Sequence, residues 1–156
     1  MAVGQIPPKA PVEDDAYGAG WDGDTTHAPS QNAVYDKIEA LGFVDRGDPA
    51  DYDFAVGDFI TDNTWRDLDL SSVVPAGAKA VLFRIQIKDN VTSSQMEFRE
   101  KGNSNTINAT KLRTVVANLY HDVDWIVACD SNRKIQYRGS NLAFVAIDVI
   151  IKGWWK

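Results

Sequence analysis

Asp67 and Asp69 stand two residues apart in the stretch Thr64 to Leu70. On a strand that spacing sends both carboxylates to one face, as a cation site or a paired acid and base would require. The polar-out alternation of an antiparallel sandwich gives the same spacing, so a solvated outer face is the expected reading. A second group of reactive types is His121, Asp122 and Asp124, lying just before the apolar run Trp125 to Cys129. With Cys129 these are the ingredients of a cysteine–histidine hydrolase. An activated thiol needs a partly exposed, electropositive setting, however, and Cys129 sits among apolar residues with Asp130 beside it, which raises a thiol pKa. Cys129 is therefore expected to be a buried small hydrophobe. Being the only cysteine, it also excludes an intrachain disulfide and a cysteine-type metal site. Asp22-Gly23-Asp24 has the opening of a calcium loop without its closing acidic ligand, and reads as a tight turn. His27 and His121, the only histidines, lie far apart in dissimilar surroundings. No catalytic, cofactor-binding or metal-ligating residue is assigned, and the expectation is a protein that is not an enzyme.

Residue types suited to binding are easier to find. The polar stretches Asn103-Ser104-Asn105-Thr106-Ile107-Asn108 and Ser131-Asn132-Arg133 carry amide and guanidinium groups. On loops at a sandwich end, such groups suit recognition of sugar hydroxyls, especially beside an aromatic platform such as Tyr137 or Trp65. The candidate receptor-binding residues are thus Asn103, Asn105, Asn108, Asn132, Arg133 and Tyr137, with ordinary solvated loops as the competing reading. Asn90-Val91-Thr92 and Asn108-Ala109-Thr110 match glycosylation acceptors, but carry no weight without a secretory signal. Trp154 and Trp155 are adjacent, so on a strand one enters the core while the other looks outward as an interface marker; alternatively, both close one end of the fold.

The elements that must position these groups follow from composition and periodicity. Residues 1–28 contain Pro7, Pro8, Pro11, Gly18, Gly20 and Gly23 among several aspartates, leaving few apolar side chains to offset ordering entropy. They read as an extended docking arm anchored by Tyr17 and Trp21. From 29 to 42 the pattern becomes helical: Pro29 suits a first turn, Ser30 a cap and Gly42 a C-terminal stop. Val34, Ile38 and Leu41 share one stripe. So short a helix is marginal alone and must pack, either on its own domain or against sister helices as a parallel bundle with that stripe as the seam. Residues 43–51 read as a linker. Over 52–156, turns separate seven or eight short strands, among them Thr64–Leu70, Gln95–Arg99, Leu112–Val116, Val123–Cys129, Lys134–Arg138 and Leu142–Lys152. Phe83, Ile85 and Ile87 alternate with Arg84, Gln86 and Lys88, marking a half-exposed strand. The expected fold is mainly β: an extended arm and short helix followed by an antiparallel, jelly-roll-like β-sandwich.

The 156 residues carry a formal charge of -6 and a sequence pI near 4.8, which argues against nucleic acid as a partner. No apolar run is long enough to span a bilayer, so membrane insertion is not expected. Met1 to Gln5 lack the basic start and apolar stretch of a secretory signal, which points to assembly in the cytosol.

Two stretches resemble known proteins. Val12-Glu13-Asp14-Asp15-Ala16-Tyr17 and the run from Gly20-Trp21-Asp22-Gly23 through Ala28-Pro29-Ser30-Gln31 to Leu41 resemble a segment of phage tail-fibre and other virion structural proteins, where it precedes a variable distal domain. Trp65 through Leu82, Phe98-Arg99-Glu100-Lys101-Gly102-Asn103-Ser104 and the ending Lys152-Gly153-Trp154-Trp155 are similar to a β-domain of phage-associated and metagenomic proteins that carries no catalytic motif. The resemblance implies a virion appendage, commonly trimeric, assembled in the host cytoplasm. It favours self-association of the helix, making Val34, Ile38 and Leu41 a trimer neck. Its implied partners are two further copies of the chain, a capsid or tail protein gripped by the arm, and a host-surface glycan as a candidate ligand. A capsid decoration protein and a glycan-binding module are the alternatives.

Overall fold

The computed structural model describes residues 12–13, 28–39 and 41–156, in two units that divide between Gly42 and Phe43. The proposed arm anchors Tyr17 and Trp21 lie outside the described residues. In the first unit β1 (Val12–Glu13) pairs in parallel with β2 (Ala28–Pro29), and α1 spans Gln31–Glu39. Ser30 caps that helix: its Oγ accepts the Ala33 N–H at 3.0 Å, while its carbonyl accepts the first helical bond from Val34. The helix is shorter than the 29–42 expected from sequence. Beyond it the Leu41 N–H bonds to the Ile38 carbonyl, and Gly42 takes φ +134°, a conformation that suits glycine.

The second unit holds β3 (Phe43–Asp45), β4 (Arg66–Asp69), β5 (Ala80–Lys88), β6 (Gln95–Glu100), β7 (Thr110–Arg113), β8 (His121–Ala128), β9 (Lys134–Gly139) and β10 (Ala146–Trp155). They form two antiparallel four-stranded sheets ordered β3-β10-β5-β8 and β4-β9-β6-β7. First strand therefore pairs with last, second with next to last, and so inward, as in a long hairpin rolled over on itself. This is the jelly-roll order. One sequence expectation is corrected here: residues 43–51 are not wholly linker, because Phe43–Asp45 forms the edge strand β3 against Gly153–Trp155. Arg46, which follows it, is pinned as well, reaching both the Asp53 carboxylate and the Ile151 carbonyl.

Alternation decides the core. Phe83, Ile85 and Ile87 point inward as their spacing predicts, joined by Ile147, Val149 and Ile151 on β10, and all six are buried. From the facing sheet come Met96, Phe98, Ile135 and Tyr137, with the Phe83 and Phe98 rings 5.1 Å apart across the interface. Full burial of such side chains is worth about 1.5–3 kcal/mol each. A bulge between Ile151 and Gly153 shifts the register of β10. Trp154 thereby turns to the core, while Trp155 lies opposite Phe43 with ring centroids 4.8 Å apart. The intervening Gly153 is forced by space: a Cβ there would collide with the Phe43 ring and the Val44 carbonyl oxygen.

Candidate functional site

The paired carboxylates come first. Asp67 and Asp69 do face outward together on β4, but each is committed to a structural partner. Lys101 pairs with Asp67, which also accepts from Gln136 at 3.2 Å, and Asp69 accepts the Ser71 N–H at 2.9 Å. The Lys101 bond holds Asp67 below the usual carboxylate range, and the Ser71 bonds do the same for Asp69. These are ionised, satisfied groups on a charged face, with neither raised as a general acid must be.

The hydrolase ingredients are held apart in function by their bonding. His121 Nε2 faces the backbone N–H groups of Val115 and Val116 at 3.2 and 3.4 Å, while Nδ1 lies 3.1 Å from the Leu119 carbonyl. That geometry places the proton on Nδ1 and makes the ring a clamp on the loop before β8. Cys129 is buried just past the other end of β8, with Sγ against the Ala78 carbonyl. Burial, then the charge of Asp130, pushes its thiol pKa up, as the sequence suggested. Among the described residues no group of three metal-ligating side chains gathers.

Of the six candidate receptor residues, the structure unites two. Asn103 and Asn108, on the β6–β7 connection, line a pocket of about 270 Å³ with Glu100, Thr110 and the β8 residues Ile126 and Val127. The side chains of Glu100, Asn103 and Asn108 make no hydrogen bond or ion pair to other described residues, so their polar atoms face the pocket or solvent. Asn105 is on the same loop but does not line it. Asn132 and Arg133 form the β8–β9 turn, where Arg133 adopts φ +61° and is half-buried; its role is to close the turn, its carbonyl accepting from Leu70 at 3.0 Å. Tyr137 is corrected outright. It is 3% exposed, its ring edge-on to Phe59 at 5.0 Å and its hydroxyl accepting the Ile60 N–H, so it belongs to the core and offers no platform.

The aromatic on the outer face is Trp65. Arg99 stacks 3.9 Å from its ring centroid and Arg138 lies 4.9 Å away. Arg138 Nε donates to Glu97 at 2.7 Å and Lys111 pairs with the other Glu97 oxygen at 2.7 Å, while Arg99 Nε donates to Gln136 at 3.0 Å. Glu97 is thus a carboxylate only 1% exposed on the outward side of its sheet. Burial pushes its pKa up, but Lys111 and Arg138 outweigh that and hold it below the ordinary value. Sequence reading missed this network. Its signal was the polar parity of Gln95, Glu97 and Arg99 between Met96 and Phe98, matched across β9 by Gln136 and Arg138.

Of the predicted stripe, Val34 and Ile38 lie on α1 and are 41% and 62% exposed, while Leu41 falls beyond the helix end and is 56% exposed. Val34 and Ile38 line an apolar groove of about 360 Å³ with Ser30, Gln31 and Tyr35. No family model matches the chain, and no curated protein matches it either.

Proposed function

We propose that this chain is a structural subunit of a bacteriophage virion, a trimeric head or tail fibre or spike that attaches by its N-terminal arm and carries its β-domain for binding. It works by geometry and adhesion, with no catalytic step. The observation that carries the reading is the exposed apolar pair Val34 and Ile38 on a capped helix of nine residues, with exposed Leu41 just past its end. A helix that short does not persist on its own propensity. Three copies meeting along the stripe would remove those side chains from water, and the likeness of residues 12–17 and 20–41 to virion fibre segments supplies the setting. In that setting the chain is made in the host cytoplasm and resides in the particle. Sedimentation equilibrium at micromolar concentration is expected to give the mass of three chains, and Ile38→Asp to reduce it. A wild-type mass of one chain, or a mass unmoved by Ile38→Asp, refutes the neck.

A second reading, glycan binding, is favoured by the pocket that joins Asn103 and Asn108 to Glu100 and Thr110. Amides and a carboxylate whose side chains bond to no other described residue, with Arg99 and the apolar wall of Ile126 and Val127 beside them, match the alternating hydroxyl and C–H surfaces of a neutral saccharide. A panel of neutral oligosaccharides tested by saturation-transfer NMR should show contact that Asn108→Ala removes. Absence of transfer across the panel refutes this reading and leaves the first untouched.

A further inference from the structure

We infer that the end of the jelly roll opposite Phe43 is a contact surface between copies of this chain, independent of the helix. The 46–65 connection reaches that end, the Asn63 N–H bonding to the Gly139 carbonyl, and three shorter ones meet there: 89–94 between β5 and β6, 114–120 between β7 and β8, and 140–145 between β9 and β10. They display Val91, Val115, Val116, Leu119, Leu142 and Val145, all exposed, with Leu142 78% and Val115 69% accessible. Exposed apolar side chains scattered singly are ordinary, but six from three converging loops make a patch, and patches mark interaction sites.

The loops are fixed from beneath by polar groups that serve no other visible purpose. Asp89 is fully buried and gathers all three: its carboxylate accepts from Ser94 and Asn141, and its carbonyl accepts the Asn118 N–H at 2.6 Å. Thr114, also fully buried, donates to the Val91 carbonyl at 3.0 Å and accepts from the Ser94 N–H at 3.1 Å. His121 clamps Val115, Val116 and Leu119 as described, and Phe144 anchors the last loop in the core. Binding to a surface held in this way costs little loop ordering, which is how preorganisation raises affinity.

Charge selects the occupant. The chain has a formal charge of -6, so copies repel one another over most approaches. In these three loops the sole charged side chain is Asp89, which is buried; the charges at their margin are mixed in sign, with Lys88 5.2 Å from the Tyr120 ring centroid and Asp62 paired with Arg66, so the apolar patch itself brings no like charges together. The loops offer no arginine or lysine for an anionic lipid or phosphate, and branched aliphatic tips give a saccharide few hydrogen bonds. An uncharged apolar surface is complementary to itself, as a twofold contact between copies requires.

The test uses the full chain in four forms: wild type, Ile38→Asp, Leu119→Asp with Leu142→Asp, and all three changes together. With the helix contact removed by Ile38→Asp, sedimentation equilibrium should still show mass rising with concentration between roughly 1 μM and 1 mM. The loop substitutions should weaken that association roughly tenfold or more, with the thermal unfolding midpoint unchanged because both positions are exposed. A chain carrying Ile38→Asp that stays a monomer throughout overturns the inference while leaving the neck intact. Association lost through Leu142→Asp yet unmoved by Ile38→Asp supports it and refutes the neck. Should the chain fail to self-associate but float with neutral phosphatidylcholine vesicles in a Leu142-dependent way, the surface is a lipid contact and the inference is wrong. Leu142→Ser alone, which adds no charge, guards against repulsion as the cause of any loss.

Discussion

Replacing Glu97 by glutamine keeps the shape of the side chain and removes its charge, leaving Arg138 and Lys111 without their counter-ion. Removing one partner of a buried ion pair costs about 3–5 kcal/mol. Here the two cations are 23% and 45% exposed against 2% for the Glu97 side chain, so they recover part of their hydration. A discounted loss of about 1.5–3 kcal/mol follows, which for a domain of this size lowers the melting temperature by roughly 6–12 °C. The pH dependence gives an independent check. Glu97 has a folded-state pKa below its ordinary value of 4.5, so the unfolded chain takes up the proton first as pH falls. Its stabilisation is therefore complete above about pH 4.5 and fades as pH drops through the depressed value. Thermal unfolding followed by circular dichroism at pH 7 and at pH 3 should show the wild-type and Glu97→Gln midpoints converging in acid. A pH 7 difference of less than about 2 °C, or a gap that stays constant into acid, would refute the assignment of a stabilising charge at this position.

Gly153→Ala forces the Phe43 ring and the β3 backbone away from β10 and should cost about 2–3 kcal/mol, seen as a lower denaturant midpoint with unchanged slope. Cys129, with its thiol pKa raised by burial and then by Asp130, should resist a disulfide reagent at pH 8 in the native protein and react fully once unfolded; stoichiometric native reaction would contradict its placement. Asn108→Ala and Leu142→Asp sit on opposite ends of the sandwich, so a double variant should show each single effect on saccharide contact and self-association, additive within about 0.5 kcal/mol. Larger coupling would mean that both ends serve one partner.

Local pattern carried the sequence reading a long way. Alternation from Phe83 to Lys88 predicted which face of β5 is inward, and Ser30 predicted the helix cap. What failed was non-local. Phe43–Asp45 is too short to show a period, and it is a strand only because Gly153–Trp155, at the other end of the chain, pairs with it. Val115 and Val116 have strand propensity and were read as the end of a strand. Instead β7 stops at Arg113, because Thr114 turns inward to bond Val91 and Ser94, and the two valines are left on display. Tyr137 was misread by type although its position spoke clearly: it shares parity with Ile135, and that parity leads into the core.

A rolled hairpin sends successive connections to alternate ends, and this arrangement hides a division of chemistry from any linear reading. The β6–β7 and β8–β9 connections share the end where Phe43 begins, and they carry Lys101, Asn103, Asn105, Asn108, Asp130, Asn132 and Arg133. The β5–β6, β7–β8 and β9–β10 connections share the other end and carry aliphatic tips with no exposed charge. Along the chain the two sets interleave, so their compositions average out. At about 3.3 Å per residue, strands of eight to ten residues such as β8 and β10 hold the ends roughly 25–30 Å apart. The end where Phe43 begins is thus rich in amide and charged side chains, while the three loops at the far end present aliphatic ones. One shared sandwich core holds both ends, and at its margin the polar groups Asp89 and His121 fix the far-end loops by their hydrogen bonds.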